Sequence, residues 1–472
     1  MRAMDPGPTP LPQRRPPRAL AAAHRAARYA RLYDLRGRRQ AIFLLGGAVI
    51  GLAGVAMALG ANAAQDVFDR LLARAPLAPL LVTPLGFALL SWVTRRYVPN
   101  SEGSGIPQAI AARKLWGREE RAKLVSLWIG ANKILLTLAG LLVGASIGRE
   151  GPTVQVGAAV MFAIGRLSPA RQPGLILAGA SAGIAAAFNT PLAGVIFGIE
   201  EMSRTFDERA NGLMIGAVVA AGIVSIGLLG NYTYFGVTGA AVGGAAGWAM
   251  VPVCGVVGGL AGGLFSRILV EVGRGLPGAL GLAIRRHRVV FALGCGLVVA
   301  LCGLGSGNTA FGTGYGQVRA LIEHGTPLPL SFGPLKLLAT AASSVAGIPG
   351  GLFSPSMAVG AGIGFDLWRL LPGALGAPLG AVVMLAMVGY FAGVVQAPIT
   401  AFAIVAEMTA DHAMVVPLMA SALIASSVSK LLCPEGVYQI LARNYVRLFA
   451  PEASTPAPGA ASAVTPLAPP ES

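Results

Sequence analysis

Long stretches of this chain carry no charged residue, among them 40–65, 172–199, 210–266, 289–318, 337–365 and 370–406. A helix needs about 20 apolar residues to cross the hydrocarbon of a bilayer, and each stretch meets that length. Soluble core helices would be broken by a polar face every few residues. The charged fraction of the whole chain is 12%, against about 25% in soluble domains. These patterns specify an all-α membrane protein that crosses the lipid bilayer several times.

The apolar stretches are rich in small residues and helix breakers, with 65 glycines and 33 prolines in the chain. Small residues let helices pack closely within lipid. Prolines predict short or broken helices, which a membrane tolerates only where the freed backbone groups are buried in protein or line a cavity. Transporters and channels are built in this way.

The formal charge is +16, and residues 1–39 hold ten arginines against Asp5 and Asp34, a surplus of eight. Further basic clusters fall between apolar stretches, at Arg113, Lys114, Arg118, Arg121 and Lys123, at Arg285, Arg286 and Arg288, and at Arg443 and Arg447. Such clusters mark the cytoplasmic side, which places the basic N-terminus there. No folded basic domain accompanies these arginines, so nucleic acid is not an expected partner. The four cysteines and four histidines are dispersed. No metal site, disulfide or cofactor is therefore expected, and the Pro/Arg-rich start does not resemble a cleavable signal peptide.

The expected organisation is a disordered basic segment over 1–39, one membrane domain over 40–450, and a disordered Pro/Ala-rich tail over 451–472. No soluble regulatory domain is expected after the membrane domain. An internal repeat divides that domain into halves of about 40–230 and 240–450. Pro152 in GREGPTVQVG and Pro355 in GLFSPSMAVG are each followed five residues later by glycine, at an offset of 203 positions. Pro191 and Pro398 each precede a glutamate (Glu200, Glu407) by nine residues, at an offset of 207. Repeated halves, often inverted, place substrate at the midplane between them.

Three segments place glycines and a proline just before an apolar run: Gly103-Ser104-Gly105-Ile106-Pro107, Gly148-Arg149-Glu150-Gly151-Pro152 and Gly351-Leu352-Phe353-Ser354-Pro355. Proline suits the first turn of a helix, and glycine allows an unusual backbone path. Each segment thus predicts a helix N-terminus pointing into the protein. The unpaired N–H groups and positive dipole end of such a terminus attract anions. Three converging termini would replace an anion's water shell without burying a full positive charge beside it.

In this order and at these separations, GSGIP, GREGP and G-x-F-x-P resemble the signature segments of the CLC family of chloride channels and chloride/proton antiporters. The resemblance extends to NTPLAGVIFGIEEM, to APITAFAIVAEMT and to Tyr438 in GVYQILAR, and so covers essentially all of 40–450. It implies a CLC-type fold of many tilted, partly short or broken helices in two inverted-topology repeats. It also implies a homodimer with one pathway per subunit, in a prokaryotic inner (cell) membrane.

The roles it implies attach to single residues. Ser104 and Tyr438 match the hydroxyl donors to a central chloride, and a neutral O–H suits a dehydrated halide. The backbone around Glu150, Gly151, Leu352 and Phe353 matches the amides that coordinate the anion. Glu150 matches the gating glutamate that meets external protons, with Arg149 in support. A carboxylate at the end of an anion path is a tethered anion competing for the same N–H groups, and protonation frees the site. Glu201 matches the internal proton-transfer glutamate. The presence of both carboxylates favours exchange of chloride for protons over a passive chloride-selective channel, the alternative within the same fold. Ser104 and Tyr438 match the chloride pattern rather than the fluoride one, and nitrate exchangers of the family tend to carry proline where Ser104 stands.

Several of these residues have plainer readings. A serine in a glycine-rich turn ordinarily caps a helix, and Tyr438 could be an interfacial belt tyrosine. Glu200 is expected to mark a cytoplasmic helix end beside Arg204, and Glu407 to satisfy nearby backbone donors. Gly179-Ala180-Ser181-Ala182-Gly183 fits the G-x-S-x-G nucleophile pattern. That pattern needs a strand-to-helix elbow and a histidine base, whereas this one lies inside an apolar run. Small-residue helix packing accounts for it, and no enzyme or catalytic residue is expected.

Overall fold

The computed structural model describes residues 18–203, 208–230, 233–371 and 377–449. The first half consists of α1 (Arg18–Arg74), α2 (Pro79–Tyr97), α3 (Ile106–Lys114), α4 (Arg118–Val125) and α5 (Leu127–Leu142). It continues with α6 (Glu150–Ile164), α7 (Gln172–Phe188), α8 (Pro191–Phe197), a π-helical turn over Gly198–Ser203, and α9 (Glu208–Leu229). The second half holds α10 (Gly244–Arg274), α11 (Gly278–Arg286), α12 (Arg288–Gly305), α13 (Tyr315–His324) and α14 (Phe332–Val345). It ends with α15 (Phe353–Leu370), α16 (Leu379–Val395), α17 (Pro398–Thr409), α18 (Val415–Leu432) and α19 (Val437–Phe449).

Among the described residues, six helical segments are long and apolar enough to cross a membrane: Gln40–Arg74, Arg118–Leu142, Gly212–Leu229, Gly247–Arg274, Arg288–Gly305 and His412–Leu432. Between them lie shorter helices that start at or beside the signature prolines. At about 1.5 Å per residue, the seven residues of α8 and nine of α3 stop well short of a 30 Å layer. These are the broken helices that the prolines predict.

The two halves pack alike. Helix α6 lies on α7 as α15 lies on α16, and α1 rests on α7 and α9 as α10 rests on α16 and α18. The halves meet where α2 crosses α12 and where α8 meets α17. Close approach depends on glycine. A Cβ at Gly157 would stand 2.1 Å from the Gly179 carbonyl, and one at Gly360 would stand 2.7 Å from the Ala386 carbonyl. Gly179 and Ser181 therefore belong to a helix–helix contact between α6 and α7, with Ser181 buried. The G-x-S-x-G run forms no strand-to-helix elbow.

Residues 18–39, expected as part of a basic N-terminal segment, are helical and continuous with the first spanning segment. Their run of Ala, Arg and Leu has high helix propensity, and the spanning segment supplies the costly nucleus from which helix propagates. The remainder of that basic segment, residues 1–17, and the whole of the tail lie outside the described residues.

Candidate anion-binding site

The three glycine-proline segments come together. Gly103 N–H donates to the Ile348 carbonyl over 3.0 Å, and Gly350 N–H donates to the Gly103 carbonyl over 3.0 Å. Gly148 and Gly351 exchange both of their backbone bonds, at 2.8 and 2.7 Å. A Cβ at Gly151 would lie 2.7 Å from the Ser104 carbonyl and 3.3 Å from the Gly351 Cα, so all three loops touch at one point. From that point α3, α6 and α15 run outward, each without a side-chain cap from its N-cap residue. First-turn amides of a helix have no intrahelical acceptor, so three positive dipole ends face a shared buried space.

The loop before α3 is shaped by two glycines at positive φ, Gly103 at 64° and Gly105 at 94°. Between them Ser104 is 6% exposed, and its hydroxyl oxygen accepts from Ile106 N–H over 3.3 Å. The side chain thus serves as a cap on its acceptor side, which leaves its O–H to donate. Tyr438, in the first turn of α19, is fully buried. Its hydroxyl faces the Ser104 side chain, with no other hydrogen-bond partner among the described residues. An anion in the shared space would give the Ser104 and Tyr438 hydroxyls an acceptor for their O–H groups. The Phe353 ring walls the space, 6.1 Å from the Tyr438 ring and 4.7 Å from that of Phe391. Leu352 is also buried, at the N-cap of α15.

Glu150 is fully buried. Its carboxylate leaves its own helix and sits on the first turn of α15, accepting from Ser354 Oγ over 2.5 Å and from Ser354 N–H over 3.4 Å. Tyr234 hydroxyl donates to the same Oε1 over 3.4 Å. Arg149 Nε stands 3.9 Å from it, while the guanidinium donates to the Ala58 carbonyl and to Asn62. The pair is a buried one, with Arg149 5% exposed.

Glu201 lies in the π-helical turn and is 1% exposed. Gln439 Nε2 donates to its backbone carbonyl over 2.9 Å and to its carboxylate over 3.2 Å. This ties Glu201 to the residue immediately after Tyr438. Lys114 Nζ donates to Gln439 Oε1 over 3.2 Å, and Arg113 donates to the Met202 carbonyl and Ser203 of the same turn.

Glu200 lies in the π-helical turn that closes the α8 segment, and Arg204, expected beside it, lies outside the described residues. The Glu200 carboxylate accepts from Ile399 and Thr400 N–H, at 3.1 and 2.6 Å, and so caps the first turn of α17. The first-turn donors of α17 have no intrahelical acceptor, and a carboxylate is a strong acceptor for them. Glu407 accepts from Leu192 and Ala193 N–H at the start of α8, as its sequence setting predicts.

Two buried lysines complete the surroundings and were not singled out from the sequence. Lys133 of α5 donates to the Ser101 and Gly103 carbonyls, at 2.7 and 2.6 Å. Lys336 of α14 donates to the Ala310, Phe311 and Gly312 carbonyls, at 3.0, 3.2 and 2.7 Å. They stand 203 positions apart, the offset of Pro152 and Pro355. Each ammonium gathers the carbonyl side of a glycine loop, and in the first half this leaves the amide side free to face the shared buried space. A lone ionisable residue in an apolar run was the available signal.

A cavity of about 420 Å³ reaches this space. Ser104 and Leu352 lie among its lining residues, as do Arg95, Arg274, Arg285 and Arg288. Among the described residues no group of His, Cys, Asp and Glu is arranged to hold a metal, and the four cysteines are buried and unpaired. The arrangement can desolvate a small anion, hold it on amides and hydroxyls, and set a carboxylate against it as a competitor.

Known proteins share this architecture. The sequence model of a family described as voltage gated chloride channel matches residues 85–430. The H(+)/Cl(-) exchange transporter ClcA of Yersinia pestis bv. Antiqua is 31% identical over 440 residues, 85% of this chain and 86% of that protein. ClcA of Klebsiella pneumoniae subsp. pneumoniae is 30% identical over 444 residues, 86% of this chain and 89% of that protein. Among solved structures, a slow cyanobacterial Cl-/H+ antiporter superposes with a TM-score of 0.73 at 25% identity, over 87% of this chain and 98% of its own. A CLC-type fluoride/proton antiporter gives 0.72 at 21% identity, again over 87% and 98%, a likeness of fold. The match to more than half of the chain and the 31% identity across 85% of it make this protein a member of the CLC family of anion channels and transporters.

Proposed function

We propose that this protein exchanges chloride for protons across a cell membrane, with Ser104, Tyr438 and the backbone at Gly151, Leu352 and Phe353 as the anion site. The observation that carries this reading is the position of Glu150. A buried carboxylate docked on the N-terminus of α15 occupies ground that also suits an anion. A charged glutamate and a halide cannot both hold those donors. A proton taken up from the outside cancels the charge of Glu150 and lets an anion replace it. Glu201, buried and linked through Gln439 to the Tyr438 turn, is the internal station for the proton, and Arg149 holds the start of α6 in place. Similarity to exchangers named H(+)/Cl(-) transporters supports both the ion pair and the coupling.

The same reading includes a homodimer. Helices α8 and α17, seven and twelve residues long, are too short to span the layer. Their capping carboxylates, Glu407 and Glu200, are only partly buried within one subunit, and Leu192 and Ile399 beside them are exposed. Partly exposed carboxylates are poorly solvated by lipid, so a second copy covering this face would shield them.

Reconstitution in liposomes under an imposed chloride gradient tests the reading. Uphill proton movement is expected. Rapid chloride flux without proton movement would return the passive channel, and fluoride carried in preference to chloride would move the substrate.

A further inference from the structure

Tyr234 lies outside all the helices, in the stretch between α9 and α10, yet it is 1% exposed. Its ring is fixed from several sides. It packs edge-on against Phe188 at the end of α7 (5.6 Å), against Tyr315 at the start of α13 (4.6 Å) and against Phe235 (5.0 Å). The Arg149 guanidinium stands 5.5 Å from its centroid. Next to it, Phe235 N–H is tied to the Met408 carbonyl over 3.2 Å. What this packing positions is the phenol, whose hydroxyl reaches Glu150 Oε1 (3.4 Å) and Ser354 Oγ (3.3 Å). Ser354 Oγ in turn makes the shortest bond to the carboxylate, 2.5 Å.

We propose that Ser354 and Tyr234 are positioning residues that form a hydroxyl clamp on the Glu150 carboxylate and so set the proton concentration at which the gate opens. This rests on the exchanger reading above. Hydroxyls that donate to a carboxylate favour its charged form, and charge-assisted bonds of this kind are the strong ones. When a proton from external water settles on a Glu150 oxygen, that oxygen carries a hydrogen of its own and the clamp loosens. Glu150 then leaves, and the two hydroxyls remain aimed at the vacated ground. Besides Tyr234, the titratable and charged groups that face Glu150 among the described residues are Arg149, at the start of its own helix, and Tyr438 from α19. Arg149 acts in the same direction as the clamp, and removing a clamp hydroxyl leaves it in place.

The test is chloride and proton flux measured against external pH in liposomes, for Ser354→Ala, Ser354→Thr, Tyr234→Phe and Glu150→Ala. Loss of one charge-assisted bond should move the activation midpoint of Ser354→Ala to higher pH by about one unit, with higher flux at neutral pH. Ser354→Thr keeps the hydroxyl and should restore the wild-type curve. Tyr234→Phe should move the curve in the same direction by less, in keeping with its longer bond. Curves for Ser354→Ala and Tyr234→Phe that overlay the wild type, while Glu150→Ala is uncoupled, would overturn the clamp alone. Full proton coupling in Glu150→Ala would overturn the exchanger reading and the clamp with it.

Discussion

Glu200 and Glu407 perform the same task for each other's half of the molecule. Glu200 follows α8 and caps α17, while Glu407 lies on α17 and caps α8. The offset of 207 positions between them is therefore the trace of a pseudo-twofold axis running between the two short helices. Two proline-started helices meet there, and each closes the other's open end.

This reciprocity makes the two carboxylates comparable in stability terms. Glu200→Ala and Glu407→Ala should each destabilise the protein by about 1–3 kcal/mol, since each strips two backbone donors of their acceptor. Thermal unfolding in detergent reads the effect. A large loss for one variant and none for the other would break the equivalence.

The two proposed proton stations should separate cleanly. Glu150→Ala is expected to pass chloride without coupled protons, and Glu201→Ala to pass chloride while proton movement is suppressed. Paired chloride and proton recordings from the same liposomes check both. Retention of coupled transport in both variants would show the roles to be misassigned.

Gly151→Ala tests whether the loops must touch. Its Cβ would meet the Ser104 backbone carbonyl at 2.7 Å, closer than real Cβ contacts allow, and neither neighbour is a flexible side-chain end. Chloride flux should fall at least tenfold, because a misplacement of about 1 Å near a binding site costs that much or more. Normal flux would mean that the space is roomier than its geometry indicates.

Lys133→Met and Lys336→Met should both be destabilising, by on the order of 3 kcal/mol each, since two or three carbonyls lose a charged donor. Only Lys133→Met should also weaken chloride binding, measured by calorimetry in detergent, because only the Lys133 loop carries Ser104. Equal binding defects in the two variants would point to general unfolding.

Much of this site was legible from sequence because it is made of backbone. Glycine and proline dictate where a helix starts and how closely loops approach, and those constraints are written locally in GSGIP, GREGP and GLFSP. The resemblance carried by the ordered set pointed to Ser104, Glu150 and the α15 terminus as candidates, and the structure brings them together. What sequence did not reveal was partnership across distance. Nothing near Tyr234 indicates that its hydroxyl reaches Glu150, 84 positions earlier. Ser354 reads only as a small residue before a proline. Glu200 read only as a helix-end marker because its partners, Ile399 and Thr400, lie in the other half. Lys133 and Lys336 carried a signal in their isolation among apolar residues, but their partners are carbonyls, which leave no mark in a sequence.

The paired amide bonds that join Gly148 to Gly351, and Gly103 to its neighbours at 348–350, have a mechanical consequence. They sew the two halves together at the very centre, so rocking one half against the other would tear the seam. Many carriers of inverted-repeat design expose their cargo by such rocking. On the exchange proposed above, this seam favours a frame that stays still and leaves passage to parts as small as the Glu150 side chain.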